Sequence, residues 1–306
     1  MTALPVLVIC GPTASGKTRL AVELARRCGG EVISADAFAV YQGMDIGTAK
    51  PTAAERGEVP HHLIDVFPPE ERCDAQRWFT LADAALRDIC ARGKLPIVAG
   101  GTPLYAKALL EGLSAGAPRD PAMRAALQER YVREGAAALF AELQRVDPVY
   151  ATGRHPNDER RVVRALEVFA LTGQPYSSFH TTDGVRRSDL CPLLIGLDWP
   201  RDQLYARIDQ RVERMFAAGL VDEVRALKDR LSPEARQGVG YKEVIAWLDG
   251  HGDEAEARRL VARNSRHLAK HQMTWYRGWQ DIVWLPGAGQ DLVAQAAQRV
   301  DALLCP

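Results

Sequence analysis

The stretch Leu4-Pro5-Val6-Leu7-Val8-Ile9-Cys10, followed at once by Gly11-Pro12-Thr13-Ala14-Ser15-Gly16-Lys17-Thr18, decides the fold. The first part is apolar and of strand length, so it reads as a buried strand over 4–10. The second matches GxxxxGK followed by Thr in full and sits between that strand and a helix over 17–28, with Leu20, Leu24 and Cys28 on one face. Glycines at both ends let the backbone curl so that successive N–H groups point inward at phosphate oxygens. Lys17 adds a point charge, the helix N-terminus adds its dipole, and the Thr18 hydroxyl can ligate Mg2+.

Working outward, Glu31 to Ser34 reads as a second strand ending at Asp36, and 77–92 as a helix with Phe79, Ala82, Leu86 and Ile89 at helical spacing. Leu95 to Ala99 reads as a third strand that runs into Gly100-Gly101-Thr102 and another helix. Strands alternating with helices imply an α/β fold, a P-loop NTPase-like parallel sheet core. From residue 117 the rhythm breaks into helical segments separated by Pro118, Pro121, Pro148, Pro156 and Pro175. The strand pattern returns at Leu193 to Leu197, followed by long helices over 202–230 and 252–277. The expectation is a core made of 1–116 and 190–306, interrupted by a mostly helical insertion domain at 117–189.

The 306 residues carry 39 Lys and Arg against 39 Asp and Glu and are 47% hydrophobic, which excludes a disordered chain and a disulfide-stapled miniature. A neutral total also argues against an indiscriminate polyanion binder. The cysteines Cys10, Cys28, Cys73, Cys90, Cys191 and Cys305 show neither a CxxC pair nor zinc spacing. The apolar opening is too short to span a membrane and lacks a basic leader or a small-residue cleavage site, so a cytosolic chain with no membrane contact is expected. Nothing in the sequence demands more than a monomer.

In open α/β sheets, ligands bind outside the carboxyl ends of the strands. Asp36 follows the second strand and Thr102 the third, so both should face the P-loop crevice, Asp36 as a proton acceptor. A turn aspartate and a helix-cap threonine are the plain structural readings of the same positions. There is no NKxD motif, and no strand reads as ending in the aspartate that usually supports Mg2+. The loop therefore suits a diphosphate that is not hydrolysed as a nucleotide. His61-His62 has no partner motif for a metal. On these residues alone, a P-loop kinase of a small metabolite stays open.

Further blocks narrow the choice. Ser34-Ala35-Asp36, the run Tyr41 to Pro51, Pro60 to Asp65, Gly100-Gly101-Thr102, His155-Pro156-Asn157-Asp158, Gly240-Tyr241-Lys242-Glu243 and Gln272 to Arg277, taken with the P-loop, resemble the tRNA dimethylallyltransferase family. The resemblance spans nearly the whole chain in the right order. It implies transfer of a dimethylallyl group from dimethylallyl diphosphate to N6 of the adenosine 3′ to the anticodon; the related alternative, prenylation of free adenine nucleotides, leaves the insertion and the long C-terminal helix without a purpose. It further implies that Gly11, Pro12, Thr13, Ala14, Ser15, Gly16, Lys17 and Thr18 hold the diphosphate with Mg2+. In that reading Asp36 is the general base, Arg211 lies on the diphosphate, and Thr102 contacts RNA at the reacting base. Contacts to tRNA are implied for Asp36, Ala37, Phe38, Ala39, Thr102, Arg124, Arg160, Arg161, Val162, Val163, Arg164, Gln237, Gly238, Val239, Gly240, Tyr241 and Lys242, with the insertion gripping the anticodon stem-loop. The family usually has serine after the aspartate; Ala37 removes that side chain's hydrogen bonds here.

The segment 258–277 holds six basic and no acidic residues, and Arg259, Arg263, Arg266 and Lys270 share one helical face. A solvated face is the plain reading. With the resemblance, Arg263, Arg266 and Lys270 become candidates for a phosphate-tracking stripe. Arg207, Arg211 and Arg214 line up similarly beside Ile208, Val212 and Met215.

Overall fold

The computed structural model describes residues 3–113, 117–179, 185–289 and 291–304. Strands β1 (Leu4–Cys10), β2 (Glu31–Ser34), β3 (His61–His62), β4 (Pro96–Ala99), β5 (Leu190–Asp198) and β6 (Ile282–Pro286) form one sheet. Its order is β3-β2-β4-β1-β5-β6, and each pairing is parallel. The strand that feeds the P-loop is therefore central, with Leu7 opposite Ile97 on one side and Leu193 on the other.

The first helices are α1 (Lys17–Cys28), α2 (Ala53–Arg56), α3 (Ala75–Ala91) and α4 (Pro103–Glu111). Then come α5 (Pro121–Glu134), α6 (Ala136–Val146), α7 (Pro148–Ala151) and α8 (Glu159–Thr172). After β5 follow α9 (Arg201–Ala217), α10 (Leu220–Leu227), α11 (Tyr241–Leu248), α12 (Glu254–Arg277) and α13 (Leu292–Leu304). Helices α1 and α13 bury Leu20, Leu24, Ala296 and Val300 with Leu7, Ile9, Ile97 and Ile195 from one face of the sheet. The opposite face packs Val6, Val8, Ile33 and Val98 against α3, α4 and the α9–α12 group. Fully burying such a side chain contributes about 1.5–3 kcal/mol each.

The chain divides into two compact units, one of residues 1–110 and 187–306, the other 111–186. The second has a core of its own, with Leu127, Leu139, Leu143, Val162, Val163 and Leu166 buried together.

Four expectations need adjustment. The helix read over 202–230 is two, because Gly219 adopts φ +99° between α9 and α10. The fifth strand extends further than 193–197 and does end in an aspartate, Asp198, which faces Arg277 at 3.8 Å. The strand read from Leu95 begins at Pro96. Strands β3 and β6 were not anticipated. Among the described residues no helix is long and apolar enough to cross a membrane, and no disulfide joins the cysteines; Cys305 lies outside them.

Candidate active site

At the carboxyl end of β1 the chain enters the P-loop with Gly11 at φ +146°, where an added Cβ would lie 3.3 Å from Leu197. Gly16 at φ +95° starts α1 without a side-chain cap. The first-turn N–H groups of that helix are consequently not taken by a capping side chain, an arrangement that favours an anion. One indole and one guanidinium brace the loop from outside: Trp199 Nε1 donates to Ser15 O at 3.0 Å, and Arg207 Nε donates to Ala14 O at 2.8 Å. The Arg207 guanidinium also lies over the Trp199 ring at 4.3 Å.

Lys17 is buried and folds back on its own loop, with Nζ donating to Gly11 O at 2.9 Å and Pro12 O at 2.7 Å. Burial, and then the neighbouring Arg211 guanidinium, lower its pKa to about 8, with Asp36 opposing. Arg211 reaches in from α9 and donates to Thr48 O at 3.2 Å. Burial chiefly lowers its pKa too, again with Asp36 opposing. Lys17, Arg211 and Asp36 thus sense one another: two cations and one carboxylate share a site in which Lys17 is buried and the other two are partly buried.

Asp36 is held by a short chain of backbone bonds. Trp78, fully buried and stacked on Tyr105 at 4.5 Å, donates from Nε1 to Ser34 O at 2.9 Å. Ala35 N donates to Ala99 O, and Thr102 N to Ala35 O. Gly100 has no room for a side chain, since a Cβ would lie 2.1 Å from Ala35 C. On that platform Asp36 Oδ1 accepts from Phe38 N at 2.9 Å and Ala39 N at 3.2 Å. The turn reading and the proton-acceptor reading are thus compatible: Oδ1 closes the turn, while Oδ2 lies over Gly101, where a Cβ would meet it at 2.9 Å. Thr102 Oγ1 accepts from Ala37 N at 2.9 Å, so it stands beside Asp36 and does not cap a helix with that oxygen.

The loop after Asp36 is tied to α10 and α11. Glu223 accepts from the amides of Asp45, Ile46 and Gly47 and from the Tyr241 hydroxyl. Gly238 packs under Phe38, with its ideal Cβ 3.3 Å from the ring. The segments 36–39 and 237–242 therefore meet. Gln237 and Lys242 are exposed, whereas Ala39, Gly238, Gly240 and Tyr241 are buried. Tyr241 in particular is fully buried and spends its hydroxyl on Glu223.

Other assignments change likewise. Val162 and Val163 are 0% and 2% exposed and belong to the core of the 111–186 unit, so their side chains offer nothing to a nucleic acid. Arg124 is joined to the buried Glu167, through Nε at 3.1 Å and Nη2 at 2.6 Å, and Arg164 joins it at 2.8 Å. Arg164 also donates to Ala117 O and Pro118 O. Burial works against the Glu167 carboxylate, but the two guanidiniums and the Asp120 amide together hold its pKa below the usual range. These two arginines bind the unit together. Arg160 is exposed, and Arg161 pairs with Asp158 at 2.7 Å.

On α12, Arg259 pairs with Glu256 and Arg266 with Asp209. Arg263 and Lys270 are exposed. The apolar companions differ too: Val261 is buried while Leu268 and Trp275 are open to solvent. His62 meets Glu31 at 2.7 Å in an ion-pair cluster with Arg92 and Lys94. No group of three metal-ligating side chains occurs among the described residues. Thr18 is exposed at the start of α1, so a magnesium ion bound there would take protein ligation from one hydroxyl and depend on diphosphate oxygens and water. The buried Ser15 Oγ has no hydrogen-bond partner, which fits a loop shaped for an anion.

The sequence reading passed over Trp199 and Gln272 and placed Arg207 in line with Arg211 without tying it to the P-loop. The signal for Arg207 was its place one turn before Arg211; Gln272 stood in a quoted block with nothing to mark it out.

A family model described as IPP transferase matches residues 39–279, and one described as isopentenyl transferase matches residues 4–64. The chain is 49% identical over 283 residues to tRNA dimethylallyltransferase 1 of Trichlorobacter lovleyi, covering 92% of this chain and 93% of that one. It is 50% identical over 282 residues to the tRNA dimethylallyltransferase of Anaeromyxobacter dehalogenans, covering 92% of each. Among solved structures, the full-length tRNA isopentenylpyrophosphate transferase of Bacillus halodurans superposes with a TM-score of 0.73 at 39% identity, covering 98% of this chain and 97% of that one. A eukaryotic dimethylallyltransferase captured acting on tRNA gives a TM-score of 0.80 at 29% identity, covering 98% and 78%. The chain belongs to the tRNA isopentenyltransferase, or tRNA dimethylallyltransferase, family.

Proposed function

We propose that this enzyme transfers a dimethylallyl group from dimethylallyl diphosphate to N6 of the adenosine 3′ to the anticodon of tRNA. The observation that carries the mechanism is the placement of one unengaged carboxylate oxygen, Asp36 Oδ2, on the same sheet edge as a P-loop with a buried lysine.

The allylic C1–O bond breaks, the N6–C1 bond forms, one N6 proton passes to Asp36 Oδ2, and diphosphate departs. Negative charge grows on the departing oxygen, where Lys17, Arg211 and the loop amides supply opposite charge in a site that excludes much of the water. Such donors contribute on the order of 10²–10³ in rate each. Magnesium would be held at Thr18 and the diphosphate, where it would neutralise charge on the leaving group. The adenine amine is a weak nucleophile, so holding it in line with C1 matters as much as accepting its proton. Target bases in a stem-loop are reached by extrusion from the stack, and the exposed Arg263, Lys270 and Arg160 are suited to the backbone phosphates. The enzyme acts as a monomer in this reading.

The test is to incubate the enzyme with undermodified tRNA, dimethylallyl diphosphate and Mg2+, and in parallel with AMP, then to weigh the nucleosides. A gain of one C5H8 unit on tRNA adenosine is expected. Its absence, or a gain on AMP alone, would refute the reading.

A further inference from the structure

Gln272, near the end of α12, is 2% exposed and uses both ends of its carboxamide. Its Oε1 accepts from Thr13 N, in the P-loop, at 2.7 Å. Its Nε2 donates to Gly101 O, in the turn after β4, at 2.6 Å. A Cβ on Gly101 would lie 2.9 Å from Asp36 Oδ2 and 3.3 Å from Gln272 Nε2, so the two side chains converge over that glycine. One neutral group thereby joins the loop that holds the leaving group to the turn that borders the proton acceptor. A carboxylate of the same shape could accept from Thr13 but could not donate to Gly101.

We propose that Gln272 is a positioning residue for dimethylallyl transfer, fixing the P-loop relative to the Asp36–Gly101–Thr102 edge. It bonds only backbone groups of the chain, and it acts through the loop and Asp36. Because Arg263 and Lys270 lie on the same helix, Gln272 also ties the RNA-facing surface to the diphosphate loop. The inference rests on the tRNA-transfer reading given above.

The test uses Gln272→Met, which keeps the side chain's length but makes neither bond, and Gln272→Glu, which keeps only the acceptor while ionised. For Gln272→Met the expected result is tRNA affinity within about twofold of wild type and a single-turnover rate lower by about 10–100-fold, the loss typical of a misaligned reacting pair. KM for dimethylallyl diphosphate should change less than kcat. Protonation gives a carboxylic acid a donor, so the Gln272→Glu rate relative to wild type should rise as pH is lowered from about 8 to 6, helped by burial raising that acid's pKa. A residue that merely fills the core would not produce that pH signature. Wild-type single-turnover rates in Gln272→Met would overturn the proposal. So would a pH-independent ratio for Gln272→Glu, which also decides the matter if the methionine variant does not fold. A wild-type enzyme inactive on tRNA would instead overturn the underlying reading.

Discussion

Raising the pH should disarm the P-loop before it harms the fold. Lys17 is buried, its ammonium is pressed by burial and by Arg211, and its pKa is brought to about 8. With that value, about nine-tenths of free enzyme molecules carry the charge at pH 7 and about one-tenth at pH 9. If only the charged form engages diphosphate, kcat/KM for dimethylallyl diphosphate should fall about tenfold between those limits, because that parameter reports the free enzyme. The linkage has a definite sign. Between about pH 8 and the lysine's ordinary value the unfolded chain binds more protons at this site, so Lys17 contributes rising stability with pH while activity falls. Diphosphate binding in that window should also take up a proton, readable as a buffer-dependent heat in calorimetry. Burial raises the thiol pKa values of Cys28, Cys73 and Cys90 from their ordinary value. The assay is kcat/KM from about pH 6.5 to 9.5, with Lys17→Arg as the control whose alkaline limb should vanish because guanidinium stays charged. A wild-type profile flat to the alkaline end would refute the reasoning.

Three further outcomes follow from the same geometry. Asp36→Asn should keep tRNA affinity and lose about 10²–10⁴ in single-turnover rate; an unchanged rate would remove Asp36 as proton acceptor. Arg263→Ala combined with Lys270→Ala should reduce the slope of log K against log salt for tRNA by about 1.5–2, whereas Arg259→Ala, already neutralised by Glu256, should change it by less; equal effects would count against the unpaired cations as the phosphate contacts. Glu167→Ala should lower the stability of the 111–186 unit by about 2–4 kcal/mol, less than a fully buried network because Arg124 is 38% exposed; thermal unfolding within a degree of wild type would contradict the central role of that carboxylate.

The legible parts of the fold were those whose information is local. Strand β1, the loop and α1 carry a hydrophobic run, glycine spacing and helical periodicity within 28 residues, and their ends agree with the structure. Strand β3 has two residues, too few for any period to appear. The break after α9 escaped notice because the apolar spacing runs on through Val212, Met215, Phe216 and Leu220, and only the left-handed Gly219 interrupts it. Asp36 was found because strand ends point to ligands. Gln272 was not, because Thr13 and Gly101 lie 259 and 171 residues away in the chain. Val162 and Val163 entered the expectation because their motif was taken whole, and their side chains lie in the core of the 111–186 unit while Arg160 is exposed.

The central position of β1 sets the order in which the molecule can be built on the ribosome. Leu4 precedes its partner Leu190 by the whole of the 111–186 segment, which must be synthesised before the two can pair. At about 5–20 residues per second, the edge of β1 that β5 covers waits roughly 10–40 s for its neighbour. Throughout that interval Val6, Val8 and their flanking amides form an uncovered sheet edge, the kind of surface that invites pairing with other chains. Trp199, Arg207 and Gln272 arrive later still, so the phosphate loop is fully braced only after residue 272 has been made. A nascent chain stalled before residue 190 would carry the complete nucleotide-loop motif without the scaffold that gives it shape.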